Sequence, residues 1–541
     1  MTNSLAPPFR DDDPSGLMPA ERDACAIICY VNKAGRPTHG NVQRTIDALI
    51  KMGHRAGEIS GEGDGCGVLT DIPRLLWRDT LAAAGHPAEW ADLPGFAVGH
   101  LLVPKDAAET EPGLQERIVQ RCRELGARVL VERPGTVRSE VLAASVRRHE
   151  PRFWQLALML PEPAGASRLL HELQLWIELQ TPVHVASLST QIVAWKLQGA
   201  PEQLARYYPA LKRRDFLSAV TIGHSRFSTN TLPTVFRAQP FSLLGHNGEI
   251  NTIARLREEA RLLGLPLPSG GSDSQDLNRT LEGLIHRYGV TLFEAMEMVF
   301  PPIFSEAQKL PADLQAMYSF FRRLVTASAQ GPAAIIARHH DRLVFSVDAM
   351  GLRPLWFGET EKEYFASSEV GVVPQEEILA DPKPLAPGEK LAIRLATGRR
   401  PRVLEHDELR REVLALFRRR TDLAAHAAAL AEGAELPPGE AKQSALFGRM
   451  RQLTAENLLS ALAWKASDLR NLKEMASSGD DPIASLGYDG PLAALAAGRQ
   501  NLADYFKEQV AVVTNPAIDR EREAEHFSTR VFLGPRPRLR G

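Results

Sequence analysis

Four short stretches carry side chains whose types and spacing suit chemistry. The first is RDACAIICY, where Cys25 stands at the junction of a polar and an apolar run. A thiol is a weak nucleophile until it becomes a thiolate, with a free pKa of about 8.5, so it needs a base. Cleavage of the bond before Cys25 frees that residue's own α-amine, whose pKa of about 7.7–8.0 lets it take a proton near neutrality. N-terminal nucleophiles are one form of base-assisted covalent catalysis. The competing reading is a core thiol on a strand. Zinc fits poorly: structural sites use two close cysteine pairs, whereas Cys25 and Cys29 form one pair and Cys66 and Cys122 stand alone.

The second stretch is GHNGEIN. Asn-Gly after an apolar run reads as a tight turn. It also reads as an oxyanion hole, with the Asn247 amide and the Gly248 N–H aimed at one carbonyl oxygen. In GHSRFSTNT, Arg226 has the planar fork that grips a carboxylate through two parallel hydrogen bonds, or it makes a surface ion pair. In GGSDSQD, Asp273 either accepts from an ammonium group or shapes a turn. An arginine for a carboxylate and an aspartate for an ammonium describe a pocket for a free amino acid.

These residues need a scaffold. CAIICYV is short, continuous and β-branched, as in a strand buried on both faces. NVQRTIDALIKMGHR carries apolar residues at helical spacing. GEISGEGDGCGVLTDIP is a glycine-rich loop entering a strand, and it fits neither the dinucleotide fingerprint nor a P-loop. GFAVGHLLVP, PVHVASLSTQIVAWK and SAVTIGHSRFS supply strands. AETEPGLQERIVQRCRELGARVLVERP is a helix, then a strand, with Gly126 as the stop. FSLLGHNGEINTIARLREEARLLGLP predicts a strand, an Asn-Gly turn and a helix, and GPAAIIARHHDRLVFSVDAMGLRPLWFGET a hairpin-like pair. The irregular mixture favours layered α+β over a doubly wound sheet. Residues 1–24 read as a leader or propeptide, 25–400 as the main domain, 401–443 as a linker, and 444–541 as a helix-rich segment.

The composition is that of an ordinary globular protein: 541 residues, 44% hydrophobic, 24% charged, formal net charge −2. That balance lacks the concentrated basic face of a nucleic-acid binder. No apolar run approaches the ~20 residues of a membrane span, and the acidic N-terminus is no secretory signal. A cytoplasmic location is the expectation. Four cysteines in so long a chain make no disulfide framework.

Taken together and in order, the stretches resemble a family. Cys25 before an apolar strand, His54–Arg55, GDGCG at Gly63–Gly67, GHSRFSTNT, GHNGEIN and SDS are similar to a class II glutamine amidotransferase, an N-terminal-nucleophile hydrolase. RAQPFSLLGHNGEINT, GPAAIIA, GLRPLWF and ASSEVGVV resemble more closely the glutaminase domain of the glutamate synthase large subunit. DYFKEQVAVVTNPAIDREREA, Asp504–Ala524, resembles the start of that enzyme's central domain. The resemblance implies a four-layer αββα sandwich with a helical C-terminal extension. It implies Cys25 as nucleophile with its α-amine as base, Asn247 and Gly248 as oxyanion hole, and Arg226 and Asp273 as binders of the glutamine α-carboxylate and α-ammonium. Glutamine would become glutamate and ammonia through a γ-glutamyl thioester.

Three departures stand out. The family usually has Gly after the nucleophile, whereas Ala26 and Ile27 follow here, an added methyl at the pocket floor. Cys66 stands where the family often has Ala, leaving a second thiol in the neighbourhood. The family's large subunit also continues into an FMN-binding barrel with an iron–sulfur cluster, for which these cysteines are too few and too scattered. The expectation is therefore a stand-alone glutaminase subunit without cofactor or metal, passing ammonia to a separate FMN and iron–sulfur synthase chain. The alternative is a non-catalytic glutamine-binding regulatory subunit.

Overall fold

The structure, a computed structural model, describes residues 25–59, 62–226, 233–325 and 328–425, and beyond them 459, 466–479, 493, 502, 505, 536 and 537. The expected leader, residues 227–232, and most of the helix-rich segment lie outside the described residues. The chain divides into two units, one of residues 1–427 with 529–541, the other of 428–528. In the second unit the described element is the helix Ala466–Ser478. All that follows concerns the first.

Its strands in chain order are β1 Ala26–Asn32, β2 Glu58–Ile59, β3 Glu62–Gly63, β4 Cys66–Asp71, β5 Phe96–Val103, β6 Arg128–Pro134, β7 Arg152–Met159, β8 His184–Ser189 and β9 Ile192–Leu197. There follow β10 Val220–Ser225, β11 Leu244–Gly248, β12 Ala333–His339, β13 Arg342–Val347, β14 Trp356–Glu359, β15 Glu363–Ser367, β16 Lys383–Pro384, β17 Lys390–Arg394 and β18 Arg402–Leu404. The first sheet has the order β16-β14-β15-β1-β10-β4-β9 and the second β11-β12-β13-β17-β18, with every pairing antiparallel.

β1 is central and buried along its whole length, as its unbroken apolar run requires. Its even positions face outward onto the helix His39–Lys51. A Cβ on Gly223, the β10 partner of Ile28, would meet Thr45 and Leu49 of that helix. Thr38 starts the helix by accepting from the Asn41 N–H. The helix ends at Lys51, short of the His54–Arg55 end of the periodic stretch, because Gly53–Arg55 tighten into a 3-10 turn. The odd positions of β1 face the second sheet. Ile27 fills the space over Gly245 of β11, where a Cβ would lie 3.1 Å from its Cδ1. Burial of such a side chain contributes about 1.5–3 kcal/mol.

A second tie between the sheets is ionic. Arg338 of β12 pairs with Asp71 of β4 and donates to the Val220 carbonyl at 3.2 Å. The far face of the second sheet is covered by the helices Asp273–Tyr288, Leu292–Val299 and His406–Arg418, which share one apolar core with β11, β12 and β13. The result is helix, sheet, sheet, helix, the four-layer αββα sandwich. β18 and the helix His406–Arg418, read from sequence as part of a linker, belong to this core through Leu404, Leu409, Val413 and Phe417.

β6-β7-β5-β8 form a third, separate sheet with its own core. The stretch PVHVASLSTQIVAWK is thus two strands in two sheets, β8 in the third and β9 in the first. The third sheet's seam with the sandwich is apolar on one side, where Phe96, Val98 and Phe153 join the core of the first sheet, and polar on the other, where Arg279 pairs with Glu178 and Glu282 and His171 stacks on His286 with ring centroids 4.6 Å apart.

Candidate active site

The sequence-singled residues gather at one end of the inter-sheet space, and strand periodicity shows why. On β10, His224 points inward, since its ring nitrogen Nε2 lies 2.9 Å from the His246 carbonyl of β11. Ser225 therefore points outward and Arg226 inward. Ile27 pairs with His224 and Ala26 with Ser225, so two residues on from Ile27, Cys25 lies across from Arg226 on the same inward face. The Cys25 and Asp273 charges both act on Arg226, although burial is the larger influence and pulls its pKa down.

β11 runs towards the same end. Gly245 sits over Ile27 and Ile222, and the His246 carbonyl over His224, so the next inward side chain, Asn247, is directed to the Cys25–Arg226 edge. Asn247 is fully buried, and neither its amide nitrogen nor its amide oxygen has a hydrogen-bond partner. An unsatisfied buried amide costs about 1–3 kcal/mol, which a fold retains where a ligand completes the bonds.

The Asn-Gly pair is not the expected turn. Asn247 pairs with Ala334 and Gly248 with Ala333 within the β11–β12 ladder. Gly248 has φ +130°, a backbone that glycine alone adopts readily, and a Cβ there would lie 1.8 Å from the Pro332 carbonyl oxygen. β12 is in turn anchored by Asp348, whose carboxylate accepts from the N–H groups of Ala333, Met350 and Leu352.

Asp273 occupies the first turn of the helix Asp273–Tyr288, behind the capping box of Ser272 and Gln275. Its carboxylate accepts from the Ile250 N–H at 2.9 Å and the Ser274 N–H at 2.7 Å. Around the start of β1, Arg55 donates to the Cys25 carbonyl at 3.4 Å and reaches Glu369 at 3.5 Å, while Ser368 Oγ accepts from the Ile27 N–H at 3.2 Å. His54 lies 2.9 Å from the same Glu369 carboxylate. Among the described residues no group of three or more His, Cys, Asp or Glu side chains is placed to hold a metal ion.

Residues 25–416 match the family "Glutamine amidotransferases class-II". The chain belongs to the class-II glutamine amidotransferases. Residues 457–540 match "Glutamate synthase central domain". The chain is similar to Ferredoxin-dependent glutamate synthase 2 of Synechocystis sp., 30% identical over 96% of this chain and 34% of that protein. It is similar to Glutamate synthase [NADPH] large chain of Bacillus subtilis, 30% identical over 95% of this chain and 34% of that one. It thus spans about a third of these curated relatives. Among solved structures it is similar to the allosteric regulatory enzyme of purine biosynthesis, at a TM-score of 0.35 and 14% identity, covering 71% of this chain and 49% of that one. The fold given above rests on the sheets themselves.

Two departures from the family pattern find a place in this amidotransferase. The methyl of Ala26 is on the outward face of β1, away from the Cys25 side, and fully buried there. Cys66, paired with Ser225, also faces outward, so the second thiol lies on the opposite side of the sheet from Cys25. Burial pushes its thiol pKa up, which keeps it protonated and inert.

The residues that pin the site carry no distinctive signal in the sequence. Gln239 clasps the His246 peptide from both sides, accepting its N–H at 2.7 Å and donating to its carbonyl at 3.1 Å. His224 reaches that same carbonyl, and burial pulls its pKa down to about 3, so it is a neutral donor. Asp64, in the GDG stretch, is buried and its charge acts on Arg226. A cavity of 420 Å³ opens nearby against Arg237, Gly270, Gly271 and Asn278, without Cys25, Arg226, Asn247 or Asp273 in its wall.

Proposed function

We propose that this chain hydrolyses L-glutamine to glutamate and ammonia, with Cys25 as nucleophile. The observation that carries the reading is the buried, unpartnered Asn247 amide directed at the edge where Cys25 and Arg226 face each other. Arg226 takes the substrate α-carboxylate and Asp273 its α-ammonium. The freed α-amine of Cys25 removes the thiol proton, and sulfur attacks the side-chain carbonyl carbon. Asn247 and the Gly248 N–H hold the developing oxyanion, each such donor contributing about 2.7–4 kcal/mol. The C–N bond breaks, the departing nitrogen takes the proton as ammonia, and water hydrolyses the γ-glutamyl thioester. This requires residues 1–24 to be removed.

We further propose that the ammonia feeds glutamate synthesis on a separate chain carrying FMN and an iron–sulfur cluster. The match of residues 457–540 to the glutamate synthase central domain supports the link to glutamate synthesis. The regulatory-subunit reading drew on the added methyl after Cys25, and the outward placement of Ala26 removes that motive.

The test is glutamine turnover by the purified chain and by Cys25→Ala, with glutamate and ammonia measured together. Equal release of both by the parent and none by the variant is expected. Turnover by Cys25→Ala defeats the nucleophile assignment. Affinity capture from a lysate that brings down no FMN protein defeats the separate-chain assignment.

A further inference from the structure

Asp273 is held by more than its own helix. One carboxylate oxygen, Oδ2, is tied to the Ile250 N–H at 2.9 Å, two residues beyond the end of β11. The other, Oδ1, accepts from the Ser274 N–H at 2.7 Å and lies 3.3 Å from the Ser274 hydroxyl. That hydroxyl lies 2.8 Å from His246 Nδ1. His246 precedes Asn247 on β11, so the strand that turns Asn247 inward turns His246 outward onto the Asp273 helix. Both His246 and Ser274 are buried.

The polarity of this chain of contacts follows from its ends. One end is a carboxylate, which only accepts. At the other, His246 Nε2 is buried without a partner. With the proton on Nδ1, the imidazole donates to Ser274 Oγ and the hydroxyl donates to Asp273, leaving a bare nitrogen at Nε2. The opposite tautomer would bury an N–H donor without an acceptor and turn the hydroxyl away from the carboxylate. The field of Asp273 favours the first arrangement.

We propose that His246 and Ser274 are positioning residues which lock the Asp273 carboxylate to the strand bearing Asn247 and Gly248. Recognition of the substrate α-ammonium and alignment of its reacting amide are then set by one rigid unit. This deepens the proposed glutaminase function and rests on it. Selectivity for a substrate with a free α-amino group becomes a property of the His246–Ser274–Asp273 line.

The experiment compares glutamine with 4-carbamoylbutanoate, which is glutamine without its α-amino group, on the full chain. Ser274→Ala and His246→Leu should raise KM for glutamine about tenfold, the loss of roughly one hydrogen bond, with kcat within about threefold. Their kcat/KM for 4-carbamoylbutanoate should stay at the parent value. Ser274→Thr, and His246→Asn with an amide nitrogen near the Nδ1 position, should recover the parent KM. Equal losses on both substrates would mean that the two residues only hold the fold, and unchanged KM values would mean that they do not act on Asp273; either overturns the inference alone. A parent chain that hydrolyses neither substrate overturns the proposed function and this inference with it.

Discussion

Gly248→Ala is the most demanding substitution this site offers. The new Cβ would stand 1.8 Å from the Pro332 carbonyl oxygen and 2.7 Å from its carbon. That is about 1.5 Å or more inside ordinary contact, and the obstacle is backbone. Gly248 also has φ +130°, where an L side chain is strained by about 1–3 kcal/mol. Relief requires the end of β11 to recoil from β12, breaking the Glu249 N–H bond to Pro332, 2.9 Å long, and the Gly248–Ala333 pairing. That recoil takes the Gly248 N–H away from the proposed oxyanion position, and loss of one such donor lowers kcat about 10²–10³-fold. Gly245→Ala is the matched control. Its Cβ makes one tight contact, with the flexible Cδ1 of Ile27 at 3.1 Å, so kcat should stay within about threefold of the parent. Steady-state glutaminase rates with urea unfolding of each variant separate rate from stability. A folded Gly248→Ala protein with kcat within about threefold of the parent would refute the reasoning.

Arg226→Lys should raise KM for glutamine about 10–100-fold, because an ammonium cannot reproduce the two-pronged grip on a carboxylate; initial rates over a wide glutamine range check it, and an unchanged KM would count against the assignment. Arg338→Met should lower the unfolding free energy by about 1–3 kcal/mol, since Asp71 loses its charged partner between the sheets and keeps only the Ala219 N–H and the Ser218 hydroxyl, and urea midpoints read this directly. The seam histidines set an acid limit. His286 is pulled to about 3 by burial and then by its histidine neighbours, and His171, His339 and His340 are also lowered by burial first. The unfolded chain binds their protons near pH 6.5, so between that pH and the depressed folded values it holds more protons. Stability is therefore present above about pH 6.5 and lost as pH falls, by up to roughly 1.4 kcal/mol per pH unit per histidine. His286→Leu should flatten this slope between pH 6.5 and 4 in urea titrations, and an unchanged slope would refute it.

What was legible in the sequence was local. β1 reads as a doubly buried strand because its apolar run is continuous, and Gly126 ends its helix with a positive φ of 82° as its position suggests. The layered sandwich was legible only through the family resemblance, since the pairing of β1 with β10 joins segments far apart in the chain. Asn247–Gly248 misled because the dipeptide signal is local, whereas its partner strand begins at Ala333. The third sheet was missed for the same reason: β5, β6 and β8 read as strands, but nothing in them announces β7, which was not read as a strand and pairs with both β5 and β6. Which way Cys66 and Ala26 face depends on register parity, and register is set by strands elsewhere in the chain. His224, Gln239, His246 and Ser274 were present in the quoted stretches, but their work is done through contacts across the fold.

The central claim is that Cys25 acts on glutamine with the help of its own α-amine. Intact-mass analysis of active protein, quenched in acid during turnover, tests it most directly. The expected result is a chain beginning at Cys25 and a fraction of molecules carrying one γ-glutamyl group on that residue. Full activity from molecules that retain residues 1–24, or a γ-glutamyl group on any other side chain, would contradict it.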